Sequence, residues 1–180
     1  MHRIFIALPI SDKLKKKVVK FQKQYSHLPV RWLDPNDVHI TIVPPWEESD
    51  TKDLKKKFKA LEGKLESVKN IKTLNLSYHI AKFGPDAKRP RLIWAEGKAT
   101  AELPALKKEL TKVFGLKEDK RPFKLHLTLA RFSPHDFKEF PQKRIREKLE
   151  WKDKSNSIQL IESKLTKEGA KYKTLAEIEF

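Results

Sequence analysis

The sequence predicts an α+β protein made of two rhyming halves around a cleft. Three observations carry that expectation. One tetrad is written twice, as His39-Ile40-Thr41-Ile42 and His126-Leu127-Thr128-Leu129, 87 positions apart. Stretches of alternating apolar residues interleave with stretches of helical periodicity, the pattern of mixed layers. No low-complexity segment or long linker separates the halves, so residues 1–180 read as one domain of two intertwined lobes.

The elements follow in order. Residues 3–8 form a first strand through Ile4, Phe5 and Ile6. Ser11 offers an N-cap for a helix to about residue 25, with Leu14, Val18 and Phe21 on one face. Residues 29–35 are a loop or short strand, and 37–43 are the first tetrad strand, ended by Pro44-Pro45. Thr51 caps a second helix carrying Leu54, Phe58, Leu61 and Leu65. Strands at 72–83 and 91–96 flank a turn at Gly84-Pro85-Asp86, with Leu74, Leu76, Tyr78 and Ile80 alternating along the first. A third helix covers about 100–114, and Gly115 sits where a C-cap glycine belongs. The second tetrad strand is 123–132 and a fourth helix lies within 135–149. Strands at 157–165 and 171–180 close the chain as a hairpin around Glu168-Gly169.

Composition excludes several chemistries. With no cysteine there is no disulfide, thiolate or zinc-cysteine site, which suits a reducing cytoplasm. No apolar run reaches membrane-spanning length, and the apolar start is too short for a signal peptide. Five glycines build no phosphate loop, and no Gly-x-Ser-x-Gly is present. A net charge of +16 favours polyanionic partners, although lysine-rich helix faces also occur simply as solvated surface.

The chemistry sits in the tetrads. Side chains alternate along a strand, so His39 and Thr41 share one face while Ile40 and Ile42 take the other; His126 and Thr128 do the same. Two such strands facing one groove offer two imidazoles and two hydroxyls to one phosphate. Hydrolysis of a cyclic phosphodiester needs water deprotonated on one side of phosphorus and the leaving oxygen protonated on the other. Histidine suits both tasks because its ordinary pKa of about 6.5 lies near working pH. Threonine hydroxyls can meet the charge that develops on the non-bridging oxygens. The chemistry requires no metal or cofactor. One His-x-Thr alone is a weak signal, whereas two framed copies in matching halves are a strong one. No His-x-His or His-Glu-x-x-His stands by to complete a metal site.

These residues resemble the 2H phosphoesterases, and the surrounding segments are similar to the RNA 2′,3′-cyclic phosphodiesterase, or 2′-5′ RNA ligase-like, branch. The matching segments are Arg3-Ile4-Phe5-Ile6-Ala7, the Arg31-Trp32 lead-in to motif one, Arg89-Pro90-Arg91-Leu92-Ile93-Trp94, the run from Arg121 through motif two to Arg131, and Tyr172 to Leu175. The resemblance implies a bilobal fold of two pseudo-symmetric antiparallel-sheet lobes with outer helices around a central cleft. It implies hydrolysis of an RNA-terminal 2′,3′-cyclic phosphate to a 2′-phosphomonoester and leaves room for reversible 2′-5′ joining. It makes His39 the proton donor and His126 the acceptor, roles that near mirror-image motifs leave open by themselves. Thr41 and Thr128 carry over as phosphate-holding groups. The chain departs from the family where motif one continues Val43-Pro44-Pro45-Trp46 instead of Phe-Leu-Gly, and where Leu125 rather than proline precedes His126.

Secondary candidates flank these four. Arg131 ends motif two and suits a phosphate, but strict alternation from His126 turns it away, so a bulge or strand end is needed. Tyr172 is read either as a cleft residue or as a half-buried strand tyrosine. Trp46 and Trp32 are candidates for base stacking, with lobe packing equally open to Trp32. Phe5 faces the cleft floor or the core. His2, His27, His79 and His135 have no partner motif. The expected partner is an RNA end bearing a 2′,3′-cyclic phosphate, with no membrane and a monomeric protein. The rivals are a phosphodiesterase for 2′-5′ oligonucleotides or small cyclic nucleotides, and a basic RNA-binding protein without activity.

Overall fold

A computed structural model describes residues 1–65, 71–167 and 169–180. The chain runs β1 (His2–Pro9), α1 (Asp12–Gln24), β2 (Arg31–Trp32), β3 (His39–Glu48), α2 (Thr51–Lys59), β4 (Leu74–Gly84), β5 (Leu92–Gly97), α3 (Glu102–Val113), β6 (His126–Arg131), a 3-10 turn (Asp136–Glu139), β7 (Arg146–Ser155), β8 (Ser157–Thr166) and β9 (Gly169–Glu179). Two sheets result, in the orders β3-β1-β8-β9 and β2-β6-β5-β4-β7. Every strand pairing among the described residues is antiparallel.

The rhyme between the halves is structural. β1, α1 and β3 form one strand-helix-strand unit with its strands paired, and β5, α3 and β6 form the other. The helices cross over: α1 lies on β7 of the second sheet and α3 on β3 of the first. Ser11 caps α1 by accepting from the Leu14 amide at 3.2 Å. The buried face of α1 is Leu14, Val18 and Phe21, each contributing about 1.5–3 kcal/mol. One apolar cluster joins residues of both sheets and all three helices, so the lobes share a core.

Five expectations need correction. Pro44-Pro45 does not end β3, which continues to Glu48. The strand is at a sheet edge and irregular just there, with Val43 opposite Ile6 and Trp46 opposite Ile4, so the missing amides leave no ladder bond unmade. The cap of α2 is Asp50, which accepts from the amides of Lys52 and Asp53; Thr51 is the first helical residue. That helix ends at Lys59, and Leu61 and Leu65 are buried beyond it. The fourth helix is absent: residues 135–149 hold the 3-10 turn and the start of β7, which pairs with β4 from Arg146 onward. In β4 the alternation slips between Tyr78 and Ile80, so Ala81 and Phe83 are buried in its second half and Ile80 is not. The closing hairpin is present from β8 to β9, with Gly169 at φ +123°; Glu168 lies outside the described residues.

Among the described residues, no helix is long and apolar enough to cross a membrane.

Candidate active site

Both tetrads lie on strands that approach each other across the cleft, β3 and β6. Their imidazoles are held alike. His39 Nδ1 is 2.7 Å from the Asp37 carbonyl oxygen, and His126 Nδ1 is 2.9 Å from that of Lys124. A carbonyl only accepts, so each Nδ1 carries the proton and Nε2 remains for the cleft. Each ring also rests on an aromatic. Phe5 lies 4.9 Å from His39, with Tyr172 edge-on at 5.2 Å, and Trp94 lies 4.8 Å from His126.

The same irregularity follows both motifs. In β3, Thr41 pairs with Ala7 but Val43 pairs with Ile6; in β6, Thr128 pairs with Trp94 but Ala130 pairs with Ile93. Each strand therefore gains one residue, and two successive side chains are buried, Ile42 with Val43 and Leu129 with Ala130. This bulge turns Arg131 back to the histidine face, where it lines a cavity with His39 and Thr41. The matching position after motif one is Pro44, so only one half supplies a guanidinium there.

Two cavities flank the histidines and share Thr41 in their walls. The one beside His39 has a volume of about 390 Å³ and is lined by Arg3, Arg31, Arg131, Phe5 and Tyr172, among others. The one beside His126 has a volume of about 570 Å³ and is walled largely by Trp94, Phe123, Pro44, Pro85 and Pro122. On its rim Asp119 accepts from Lys107 at 3.2 Å and from Arg121 at 2.9 Å, and Lys124 adds a further cation. Thr128 is half-buried beyond His126 and is not among the residues lining either cavity.

Burial favours the neutral imidazoles. His39 is pushed down to about 4, chiefly by desolvation; the Asp37 carbonyl opposes this, and the charges of Arg131 and His126 add to it. His126 is lowered too, again chiefly by desolvation, with the Lys124 carbonyl and Glu96 opposing. Among the described residues, no group of three or more histidine, aspartate or glutamate side chains is placed to hold a metal ion.

A family model described as the 2′-5′ RNA ligase superfamily matches residues 11–166. The chain belongs to that superfamily. Within it, a Methanocaldococcus jannaschii protein named RNA 2′,3′-cyclic phosphodiesterase is 28% identical over 97% of this chain and 99% of its own length. A Bacillus subtilis protein of the same name is 30% identical over 71% of this chain and 69% of its own. Among solved structures, TT0787 of Thermus thermophilus superposes with a TM-score of 0.73 at 20% identity, covering 98% of this chain and 97% of that one. E. coli LigT complexed with NADP+ superposes with a TM-score of 0.71 at 18% identity, covering 99% and 98%. These structures share the fold, which is the superfamily's bilobal α+β arrangement.

The superfamily chain places its other candidates unevenly. Tyr172 lines the His39 cavity, and Phe5 forms its floor. Trp32 and Trp46 line neither cavity. Trp32 packs edge-on against Phe21 at 6.3 Å and Trp46 against Phe114 at 5.9 Å, and both are half-buried. His27, His79 and His135 are exposed; His2 is 2.6 Å from Glu162. Three cleft groups escaped the sequence reading: Trp94, and Arg3 and Arg31 as cavity residues. The signal for Trp94 was available, since it sits across the ladder from Thr128, but only once strand partners are known.

Proposed function

We propose that this protein hydrolyses the 2′,3′-cyclic phosphate at an RNA end to a 2′-phosphomonoester, using its two histidines and no metal. The observation that carries the reading is the pair of Nδ1-anchored imidazoles on two facing strands, with an arginine turned to the same face by a bulge. The names of the superfamily relatives support the substrate class.

In this scheme one imidazole takes a proton from water as its oxygen bonds to phosphorus. The phosphorus–O3′ bond breaks, and the other imidazole delivers a proton to O3′. The product keeps its phosphate on O2′ and gains a free 3′-hydroxyl. Thr41, Thr128 and Arg131 hold the non-bridging oxygens, with Tyr172 at the edge. By resemblance His39 is the donor and His126 the acceptor. The unliganded charges pull the other way, since His39 is the more strongly held neutral. Bound phosphate therefore supplies the negative charge that keeps His39 protonated. A monomer acting in the cytoplasm completes the proposal, on the absence of cysteine and the self-contained cleft.

A second reading has its own observation. The largely apolar cavity beside His126 suits a nucleoside whose 5′-hydroxyl replaces water, which would make the reaction reversible as 2′-5′ joining. The deciding experiment incubates the protein, with chelator present, with a 2′,3′-cyclic nucleotide and with a short RNA ending in that phosphate. A 2′-phosphate product, lost in His39→Ala, is expected. Turnover that chelator abolishes and metal restores would sink the metal-free scheme. No turnover of either substrate would move the weight to 2′-5′ linkages, and then to a binding role.

A further inference from the structure

We propose that Glu96 is the positioning residue that makes His126, rather than His39, the proton acceptor of the pair, with Lys82 anchoring its carboxylate. The inference rests on the two-histidine reading above and supplies the asymmetry that the near mirror-image motifs lack.

The two motifs differ in what stands across the ladder from each histidine. Glu96 of β5 is the direct partner of His126 in β6, whereas Pro9 of β1 is the partner of His39 in β3. Side chains directly opposite each other in an antiparallel pair share a face, with Cβ atoms about 4.5–5.5 Å apart. Here that face is the cleft. Trp94, two residues before Glu96, pairs with Thr128, and its indole lies 4.8 Å from the His126 ring. Lys82 of β4 pairs with Trp94 in turn, and its Nζ reaches diagonally to the Glu96 carboxylate at 2.9 Å. A row of lysine, glutamate and histidine therefore crosses β4, β5 and β6 on the cleft face. The first sheet offers His39 only a proline in the matching place.

The chemistry needs this difference. A proton acceptor becomes an imidazolium in the transition state, and a carboxylate on the next strand stabilises it. Glu96 does not set the ring's tautomer, because the Lys124 carbonyl already takes the Nδ1 proton. It acts through its field. Trp94 is 4% exposed and rests against the His126 ring, so water screens that field less. Of the charges around His126, Lys124 and Arg131 oppose its protonation and Glu96 favours it. His39 bears on it from β3, and Asp119 in the adjoining cavity is engaged by Lys107 and Arg121. The charges of Arg131 and His126 both work against a proton on His39. Once bound phosphate brings His39 its proton, it is the stronger acid of the two, and His126 is the stronger base. Lys82 fixes the carboxylate and offsets part of its charge.

The test reads His126 and His39 separately by imidazole NMR titration in wild type, Glu96→Gln, Glu96→Asp and Lys82→Met. Turnover of adenosine 2′,3′-cyclic phosphate is followed alongside. Glu96→Gln should lower the His126 midpoint by roughly half a pH unit or more and move that of His39 far less. Its kcat should fall roughly two- to tenfold with little change in KM. Glu96→Asp, which keeps the carboxylate, should restore most of both. Lys82→Met removes the counter-ion and should raise the His126 midpoint, so the two substitutions act with opposite sign. A His126 midpoint that stays or rises in Glu96→Gln overturns the proposal. So does an equal shift of His39, or a fall in kcat with the midpoint in place, which is what a merely structural carboxylate would give. Should Glu96→Gln fail to fold, Lys82→Met decides alone, and a midpoint that stays or falls there overturns the proposal. Shifts of the expected signs in a protein whose wild type turns nothing over would uphold the link from Glu96 to His126 and overturn the hydrolytic reading, so the two failures are separable.

Discussion

Each imidazole has one nitrogen tied to a carbonyl two residues back and one free for the cleft. On the proposed mechanism both rings can be replaced without loss of fold but not without loss of proton transfer. His39→Ala and His126→Ala should each lower kcat by roughly 10²–10⁴-fold while thermal unfolding stays near wild type. Collapse of the fold in either variant would instead make the histidines structural. The pH dependence follows from burial. His39 sits near 4 and His126 lies below its ordinary value, so the form with one proton shared between them is most populated on the acid side of 6.5. The kcat/KM profile should be a bell centred there, and the kcat profile should move to higher pH because bound phosphate raises both values. A profile with one limb would count against two-histidine catalysis. Imidazole NMR titration with and without adenosine 2′-monophosphate reads the shift of His39 directly.

At the level of elements, the bulges after the two motifs do the positioning. Without the extra residue at Leu129–Ala130, alternation would turn Arg131 to the face opposite His126. The residue pattern alone left that choice open, because bulges depend on the partner strand. Residues 146–149 differ for a related reason: Ile145 and Leu149 are spaced as on a helix, yet the chain from Arg146 pairs with β4 instead. The helix starts were legible where a side chain can cap and ambiguous where two can. Ser11 was unambiguous, whereas Asp50 and Thr51 are adjacent and only backbone geometry separates them. Ser11→Ala should cost about 1 kcal/mol and lower Tm by a few degrees, with turnover unchanged. A fall in activity at full stability would tie α1 to the site instead.

For the whole molecule, two half-buried histidines in a shared cleft couple stability to pH. Their folded pKa values are depressed, so the unfolded chain binds more protons between about 6.5 and 4, and stability falls as pH drops through that window. His39→Gln should flatten the slope of unfolding free energy against pH there. An unchanged slope would show that His39 is not held neutral in the folded protein. Basic side chains also line both cavities of the cleft, Arg3, Arg31 and Arg131 on one side and Lys107, Arg121 and Lys124 on the other. Affinity for oligonucleotides should therefore fall more steeply with added salt than affinity for mononucleotides, as a filter-binding or calorimetric salt series would show.

The sequence by itself determined the two tetrads, the side-chain face each histidine shares with its threonine, most strands, and the superfamily to which they belong. Those features are local: period-2 alternation, a capping serine, a glycine past a helix end. Tertiary structure alone decided which residues meet from different strands. It brought Arg131 back across a bulge, set Arg31 opposite it, placed Arg3 and Tyr172 in the same cavity, and set Trp32 against Phe21 and Trp46 against Phe114. The physical reason is that strand register and bulge position are fixed by pairing with distant segments, and a shift of one residue exchanges the core face for the cleft face.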